Sequence, residues 1–348
     1  MAERVTLAQV AEATGVSVMT VSNVLNGRPG ASAATRKKVT KVAADLGYAP
    51  SAAARSLKGG RTGLLGVIAD VTNPYGLEVV RGVMDELESS DLELIISANH
   101  NDRGREHERV EFLTRGVVDG LILMVPALEP RTIDLLSERG SAVVIVDPRT
   151  FDIPLPRIVV DNYGGMRQAT QHLLDLGHTR IAYLSGLWDF ESSRERHSGY
   201  LDATRLAGLP EAPELMAVCE FTYASGFQNA REILEREHPT AIIAGADTLA
   251  MGAIDAVRSM GMSVPHDVSV VGFDDLPQAG HSFPGLTTVR QPLHDMGQLA
   301  ARSIASQLNG AGPLMDRMLF ATSLVVRGST GHPPTDGPRR IDGSVLAE

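Results

Sequence analysis

Residues 7–27 read LAQVAEATGVSVMTVSNVLNG, two short amphipathic patterns separated by a glycine. Thr6 precedes the first, and Gln9 stands three positions on, the spacing of a capping box. Leu7, Val10 and Ala11 share one face at the i, i+3, i+4 spacing of a half-buried helix. Gly15 ends the run and can take a positive φ at low cost. Ser17 can cap a second helix, whose apolar stripe is Val21, Val24 and Leu25. Two short helices across a tight glycine turn form the helix-turn-helix unit. A third helix fits 32–46, with Gly47 as its stop and Val39, Val42, Ala43 and Leu46 closing a small core. The plainer alternative is a helical hairpin at the edge of a larger domain.

Charge separates this head from the rest. Residues 1–61 hold nine basic and three acidic side chains, a net of +6. The whole chain carries −10, so the remainder carries −16. A basic head suits phosphate, and an acidic body discourages nucleic acid from wrapping elsewhere.

The 348 residues allow two or three domains with proper cores. Cys219 is the only cysteine, which excludes an intrachain disulfide and a thiolate metal cluster. With no secretory h-region and no run of membrane-spanning length, the expected compartment is the cytoplasm and no membrane partner is expected. Beyond residue 61, apolar runs alternate with helical patterns. The runs are LLGVIAD, LELIISAN, GLILMVP, AVVIVD, RIVVD, RIAYLSG, AIIAGAD and VSVVGFDD. Helical patterns fall at 78–87, 106–115, 166–176, 225–235 and 248–260. Continuous apolar strands joined by crossover helices predict a doubly wound α/β body of parallel sheets. The strands are about twice as many as one small sheet needs, so two lobes are expected, with a ligand between them at the strands' carboxyl ends.

Enzyme signals fail. The glycines of GGRTGLLG precede a strand and lack the Walker Lys-Ser/Thr. No nucleophile elbow is present. His172 and His178 are badly spaced for a metal, and Asp274–Asp275 has no nucleophile to serve. No cofactor, metal or catalytic residue is expected.

The chain resembles the lactose-repressor (LacI/GalR) family of bacterial transcription regulators. The resemblance runs from Val5 to Thr330 and is most specific in VTLAQVAEATGVSVMTVSNVLNG. YAPSAAARSLK is similar to the family hinge. TNPYGLEVVRG, GVVDGLILM, VVDNYGG, LLDLGHTRIAYLSG, PTAIIAGADTLAMGA, VSVVGFDD and PGLTTVRQP follow in the family's order. The resemblance implies a small all-α helix-turn-helix head on a two-lobed, periplasmic-binding-protein-like body with three crossovers. It implies a homodimer on a pseudopalindromic double-stranded operator, most simply as a repressor. Val18, Met19 and Asn23 match base-reading positions, while Thr6, Ser17, Thr20, Ser22 and Asn26 match backbone-holding or capping ones. Many relatives have Arg where this chain has Asn23, which points to a different half-site. In the hinge, Leu57 matches a minor-groove wedge, flanked by Arg55 and Lys58.

The same resemblance divides the chain into a head at 1–50, a hinge at 51–61, a body at 62–330 and a tail at 331–348. Lobe 1 is expected near 62–161 and 293–321, and lobe 2 near 162–292 and 322–330. The tail, rich in Pro, Gly and Asp, has no heptads and is expected to be disordered. Effector candidates by matching position are Arg196 and Asp274, a fork donor and an acceptor for adjacent hydroxyls, with Phe221 as a stacking face. Tyr75, Asp147 and Asp247 join them, and Phe190, with Trp188, adds an apolar face. Relatives have Asn where this chain has Ala246, so one polar contact is lost; Gly76 replaces an aromatic and is expected to widen the cleft. Purine-binding relatives have Arg at the position of Phe190, which leaves a sugar as the expected effector. The alternative in another class is a cytosolic binding protein or enzyme with a helical extension.

Overall fold

The computed structural model describes residues 5–25, 29–48, 61–99, 103–150 and 152–335. It divides into two compact units, 1–62 and 63–348.

In the first unit, α1 (Leu7–Thr14), α2 (Val18–Leu25) and α3 (Ala33–Asp45) pack around Val10, Val21, Val24, Val39 and Ala43. The capping box forms as its spacing predicts: Thr6 N–H donates to Gln9 Oε1 at 2.7 Å, and Gln9 N–H donates to Thr6 Oγ1 at 3.4 Å. Gly15 closes α1 at φ 66° and Gly47 follows α3 at φ 69°. Leu46, expected in the core, is 40 % exposed because it falls past the last helical turn, and Tyr48 packs there instead.

In the second unit each expected apolar run contains a strand. The order is β1 (Leu64–Ala69), α4 (Pro74–Leu87), β2 (Glu93–Ala98), α5 (Arg103–Thr114), β3 (Gly120–Met124), α6 (Pro130–Glu138), β4 (Ala142–Val146) and β5 (Arg157–Val160). There follow α7 (Asn162–Asp175), β6 (Ile181–Ser185), α8 (Glu191–Leu206), β7 (Met216–Val218), α9 (Tyr223–Glu237), β8 (Ala241–Ala244) and α10 (Asp247–Ser259). The last elements are β9 (Ser269–Asp274), α11 (Pro277–His281), β10 (Thr287–Arg290), α12 (Leu293–Leu308), β11 (Arg317–Phe320) and β12 (Ser323–Val325). One sheet runs β11-β5-β4-β3-β1-β2, and the other β12-β10-β9-β8-β6-β7. Every pairing is parallel except β10 with β12. The order shows the chain leaving the first sheet after β5, returning through α12 and β11, and ending its pairing in the second at β12.

Helices cover both faces of each sheet. Leu65, Val67, Ile122 and Val144 meet α4 and α12, while Ile68, Leu121 and Ile145 meet α5 and α6. In the second sheet, Ala182, Ile242 and Val270 meet α9 and α10, and Tyr183, Ile243 and Phe273 meet α7 and α8. The α9–α10 pair packs backbone to backbone. A Cβ on Gly226 would lie 2.3 Å from Leu249 O, and one on Gly252 would lie 2.2 Å from Tyr223 O.

Several helices start earlier than periodicity suggests, because their caps are polar. Asn73 Oδ1 accepts from Tyr75 N–H at 3.0 Å with Pro74 in the first turn. Asp161 and Thr222 cap α7 and α9 in the same way. These early starts put Tyr75 and the 220–223 turn beside the strands' carboxyl ends.

Candidate functional site

The head presents an apolar pair to solvent. Val18 and Met19, in the first turn of α2, are 46 % and 67 % exposed. Exposed apolar side chains at a helix start are of a kind that can pack against thymine methyls. Asn23 lies one turn on, half-buried. Ser17 Oγ accepts from Thr20 N–H at 3.1 Å and meets Thr20 Oγ1 at 2.9 Å, so the cap itself lines the start of the helix with hydroxyls. Thr6 is exposed in its own cap. Helix N-termini and hydroxyls of this kind hold phosphates. Lys37, Lys38 and Lys41 stand exposed on α3. Ser22 departs from expectation: it is buried within the three-helix unit, which leaves little of it for a phosphate to touch. Asn26, Arg55, Leu57 and Lys58 lie outside the described residues, as does the tail beyond residue 335.

The body contains a cavity of about 690 Å³ at the carboxyl ends of both sheets. Tyr75, Asp147, Phe190, Arg196, Phe221 and Asp274 all line it. Strand ends place the carboxylates. Asp147 follows β4 at φ 51°, and Asp274 ends β9 at φ 122° with Asp275 at 56°. Successive positive φ values turn the neighbouring carboxylates apart. Asp274 faces the cavity and accepts from Gln291 Nε2 at 2.6 Å, while Asp275 holds Arg290 and Arg327, each at 2.6 Å.

The polar groups are held by hydrogen bonds to one another and to the backbone. Tyr75 Oη donates to Asp147 Oδ2 at 3.2 Å. Arg196 donates from Nε to Asn162 Oδ1 at 2.9 Å and from Nη1 to Gly245 O at 2.5 Å, with its guanidinium carbon 3.9 Å over the Phe273 ring. Burial raises the Asp147 carboxyl, opposed by the Arg196 charge. Burial pushes Asp274 up to about 7, again against Arg196 and the Gln291 bond. Burial, with the charges of Asp147 and Asp274, holds the Tyr75 hydroxyl well above its usual value and keeps it a donor. The wall therefore offers acceptors and donors side by side, the pattern that vicinal hydroxyls satisfy.

The apolar wall is aromatic. Phe190 and Phe221 meet edge to face at 5.4 Å. Phe221 seats its ring over Gly186, where an added Cβ would stand 2.0 Å from the ring tip.

Three expectations change. Asp247 is fully buried behind the wall, where it accepts from Leu276 N–H at 2.8 Å and meets the Thr288 hydroxyl at 2.5 Å. It braces the β9 and β10 ends, and its neighbours Ala246 and Thr248 line the cavity instead. Trp188 turns its ring edge-on to His197 at 4.8 Å and does not line the cavity. Gly76 lines the cavity, but glycine is also required there by the backbone: a Cβ would lie 2.3 Å from Asp70 O. Its role is to let α4 approach the end of β1.

Arg149 was not legible in the sequence. It lines the cavity, donates from Nε to Val125 O at 3.2 Å and from Nη1 to Asp189 Oδ2 at 2.9 Å, and lies 4.2 Å over the Phe190 ring. Its carbonyl accepts from Glu191 N–H at 3.0 Å. It thus ties the loop after β4 in one lobe to the 187–191 strap in the other. His178 is structural, with Nδ1 against Thr240 Oγ1 at 2.9 Å and Nε2 against Gly331 O at 2.9 Å; burial lowers its pKa. His172 meets Thr330 at 3.0 Å. Among the described residues no group of His, Cys, Asp and Glu side chains could hold a metal ion.

Residues 6–51 match the bacterial regulatory proteins of the lacI family, and residues 170–330 match a periplasmic binding protein-like domain. The chain is 33 % identical to the HTH-type transcriptional regulator DegA of Bacillus subtilis (strain 168), over 94 % of this chain and 98 % of that one. The chain belongs to the LacI family. Among solved structures, the transcriptional regulator CelR–cellobiose complex is 33 % identical with a TM-score of 0.71. The lac repressor dimer bound to operator and the anti-inducer ONPF is 29 % identical with a TM-score of 0.82. Each covers 94 % of this chain and all of its own. This LacI-family protein is a DNA-binding transcriptional regulator with no helix, among the described residues, long and apolar enough to cross a membrane.

Proposed function

We propose that the protein works as a homodimeric repressor whose hold on a pseudopalindromic operator is set by a sugar bound in the 690 Å³ cavity. The observation that carries this reading is the convergence of Tyr75 and Asp147, from the lobe of the first sheet, with Arg196 and Asp274, from that of the second, on one space that the rings of Phe190 and Phe221 also line. An acceptor–donor wall facing aromatic rings fits a ring with hydroxyls on its edges and apolar faces. The solved relatives that hold cellobiose or stand on an operator as a dimer support it.

In the head, Val18, Met19 and Asn23 read base edges, and Thr6, Ser17 and Thr20 with Asn26 position the backbone. Leu57, flanked by Arg55 and Lys58, wedges the minor groove at the operator centre. The working compartment is the cytoplasm. A ligand that prefers one relation of the lobes shifts operator affinity by as much as its own affinity differs between the two states.

Selection of genomic fragments by the purified full-length protein, at stated salt and with or without sugars, tests this. Enrichment of a pseudopalindrome beside sugar-transport or glycosidase genes is expected. Binding of all fragments alike, with and without every sugar, would overturn it.

A further inference from the structure

The end of the chain runs beneath the second sheet, past the amino ends of its strands. Ser329 O accepts from Val270 N–H at 2.8 Å, and Gly331 O meets His178 Nε2 at 2.9 Å. His332 Nδ1 then meets Leu176 O at 2.9 Å, and a Cβ on Gly177 would lie 3.7 Å from the Pro333 ring. The path thus leads from β9 to the end of α7. The sequence goes on with residues 336–348, DGPRRIDGSVLAE.

A second cavity, of about 260 Å³, opens beside that point. Thr179, two residues past Gly177, lines it, with Ile181 and Met216 at the starts of β6 and β7. Leu201 of α8 and Leu209, in the loop between α8 and β7, complete an apolar floor. Leu201, Leu209 and Met216 are only half-buried, so apolar surface is left wet at the unfavourable cost of hydrating it. This cavity lies at the opposite end of the sheet from the ligand cavity.

Acid surrounds the opening. Glu211 lines it, exposed, and shares Arg205 at 2.6 Å. Burial, and then the charge of Glu214, push the hydroxyl of the lining Tyr200 up to about 12, so Glu214 also faces this space. No ion pair holds the Glu214 carboxylate among the described residues. The sequence past residue 335 carries the complementary order. Asp336, Gly337 and Pro338 are loop formers, the basic pair Arg339–Arg340 follows, and then come Ile341, Val345 and Leu346.

We propose that residues 339–346 of the same chain dock in this second cavity, with Ile341 on the floor of Leu201, Leu209 and Met216 and the Arg339–Arg340 pair facing Glu211 and Glu214. Reach allows it. Gly177 and Thr179 are at most about 7 Å apart, and the eight residues from Pro333 to Ile341 span up to about 28 Å. A segment on so short a tether meets its site at an effective concentration on the order of millimolar, so contacts too weak to hold a free peptide can hold it. The disorder expected from composition is then confined to residues 336–338.

Native-state hydrogen exchange of the full-length protein, followed on peptides spanning 207–216, tests the proposal. The reference is a chain ended after Thr335, which keeps every contact described above. Exchange at 207–216 is expected to be at least threefold slower in the full chain, at all protein concentrations. Ile341→Asp in the full chain should raise it to the level of the shortened chain. Arg339→Glu with Arg340→Glu should raise it in part, and adding Glu214→Lys to that pair should recover protection. Equal exchange in the full and shortened chains would overturn the proposal. So would a rise spread evenly over the whole second lobe, which marks a general loss of stability, and so would protection that fades on dilution, which marks a segment reaching in from a second copy.

Discussion

Replacing Arg149 by alanine isolates the tie between the lobes. The change removes the guanidinium over Phe190 at 4.2 Å, the ion pair to Asp189 at 2.9 Å and the bond to Val125 O at 3.2 Å. It keeps the Arg149 carbonyl that accepts from Glu191 N–H. A desolvated cation–π contact contributes about 2 kcal/mol. The ion pair is discounted to at most about 1 kcal/mol, because the Asp189 side chain is 33 % exposed. Together these give about 2–3 kcal/mol, a factor of about thirty to a hundred and fifty in the opening of the strap. Native-state hydrogen exchange on peptides spanning 187–194 reads that opening directly. Faster exchange confined to this strap and to the loop after β4 is expected. Asp189→Asn, which loses only the ion pair, should show a smaller rise. Unchanged strap exchange in Arg149→Ala, or an equal rise over the whole second lobe, would refute the reasoning.

Other outcomes follow from the same contacts. Gly252→Ala forces a Cβ to 2.2 Å from Tyr223 O and should cost about 1–3 kcal/mol, read as a lower urea midpoint at unchanged slope. Thr6→Ala removes the capping box of α1 and should cost about 1 kcal/mol of head stability, measured by thermal unfolding. Asp274, raised by burial to about 7, favours the folded state while protonated; that contribution is full below the unfolded carboxyl value of about 4 and fades as pH rises through 7. The unfolding temperature of the wild type should therefore fall relative to Asp274→Asn between pH 5 and pH 8, and parallel curves would contradict the assignment. Asn23→Ala should cost about 1–3 kcal/mol on the preferred operator and little on a half-site altered at the base it reads, compared by titration at fixed salt.

The head was legible because local chemistry decides it. Thr6 with Gln9, Gly15, Ser17 and Gly47 each act within a few residues, and the structure uses each as its type suggests. Seven of the eight expected strands lie inside a sheet, where two-sided burial leaves continuous apolar runs, and β2, at a sheet edge, is legible from the run LELIISAN alone. The strands at β7, β10, β11 and β12 were not: β7, β11 and β12 stand at sheet edges with exposed or half-buried side chains, and β10, TTVR, is polar at three of its four positions. Asp274 and Arg196 could be placed by resemblance because their motifs surround them. Arg149 could not, since nothing near it in sequence shows that Asp189 and Phe190, some forty residues on, fold back over it. Asp247 misled for the opposite reason. A carboxylate at a helix start beside a ligand wall reads the same whether it faces the ligand or, as here, the backbone behind it.

The central claim is that occupancy of the cavity sets operator affinity. The most direct test measures the operator dissociation constant of the full-length protein at fixed salt, with and without the sugar that calorimetry shows to bind, in wild type and Asp274→Ala. A change of at least tenfold in the wild type and less than twofold in the variant is the predicted result. A sugar that binds the wild-type cavity and leaves operator affinity unchanged would contradict it.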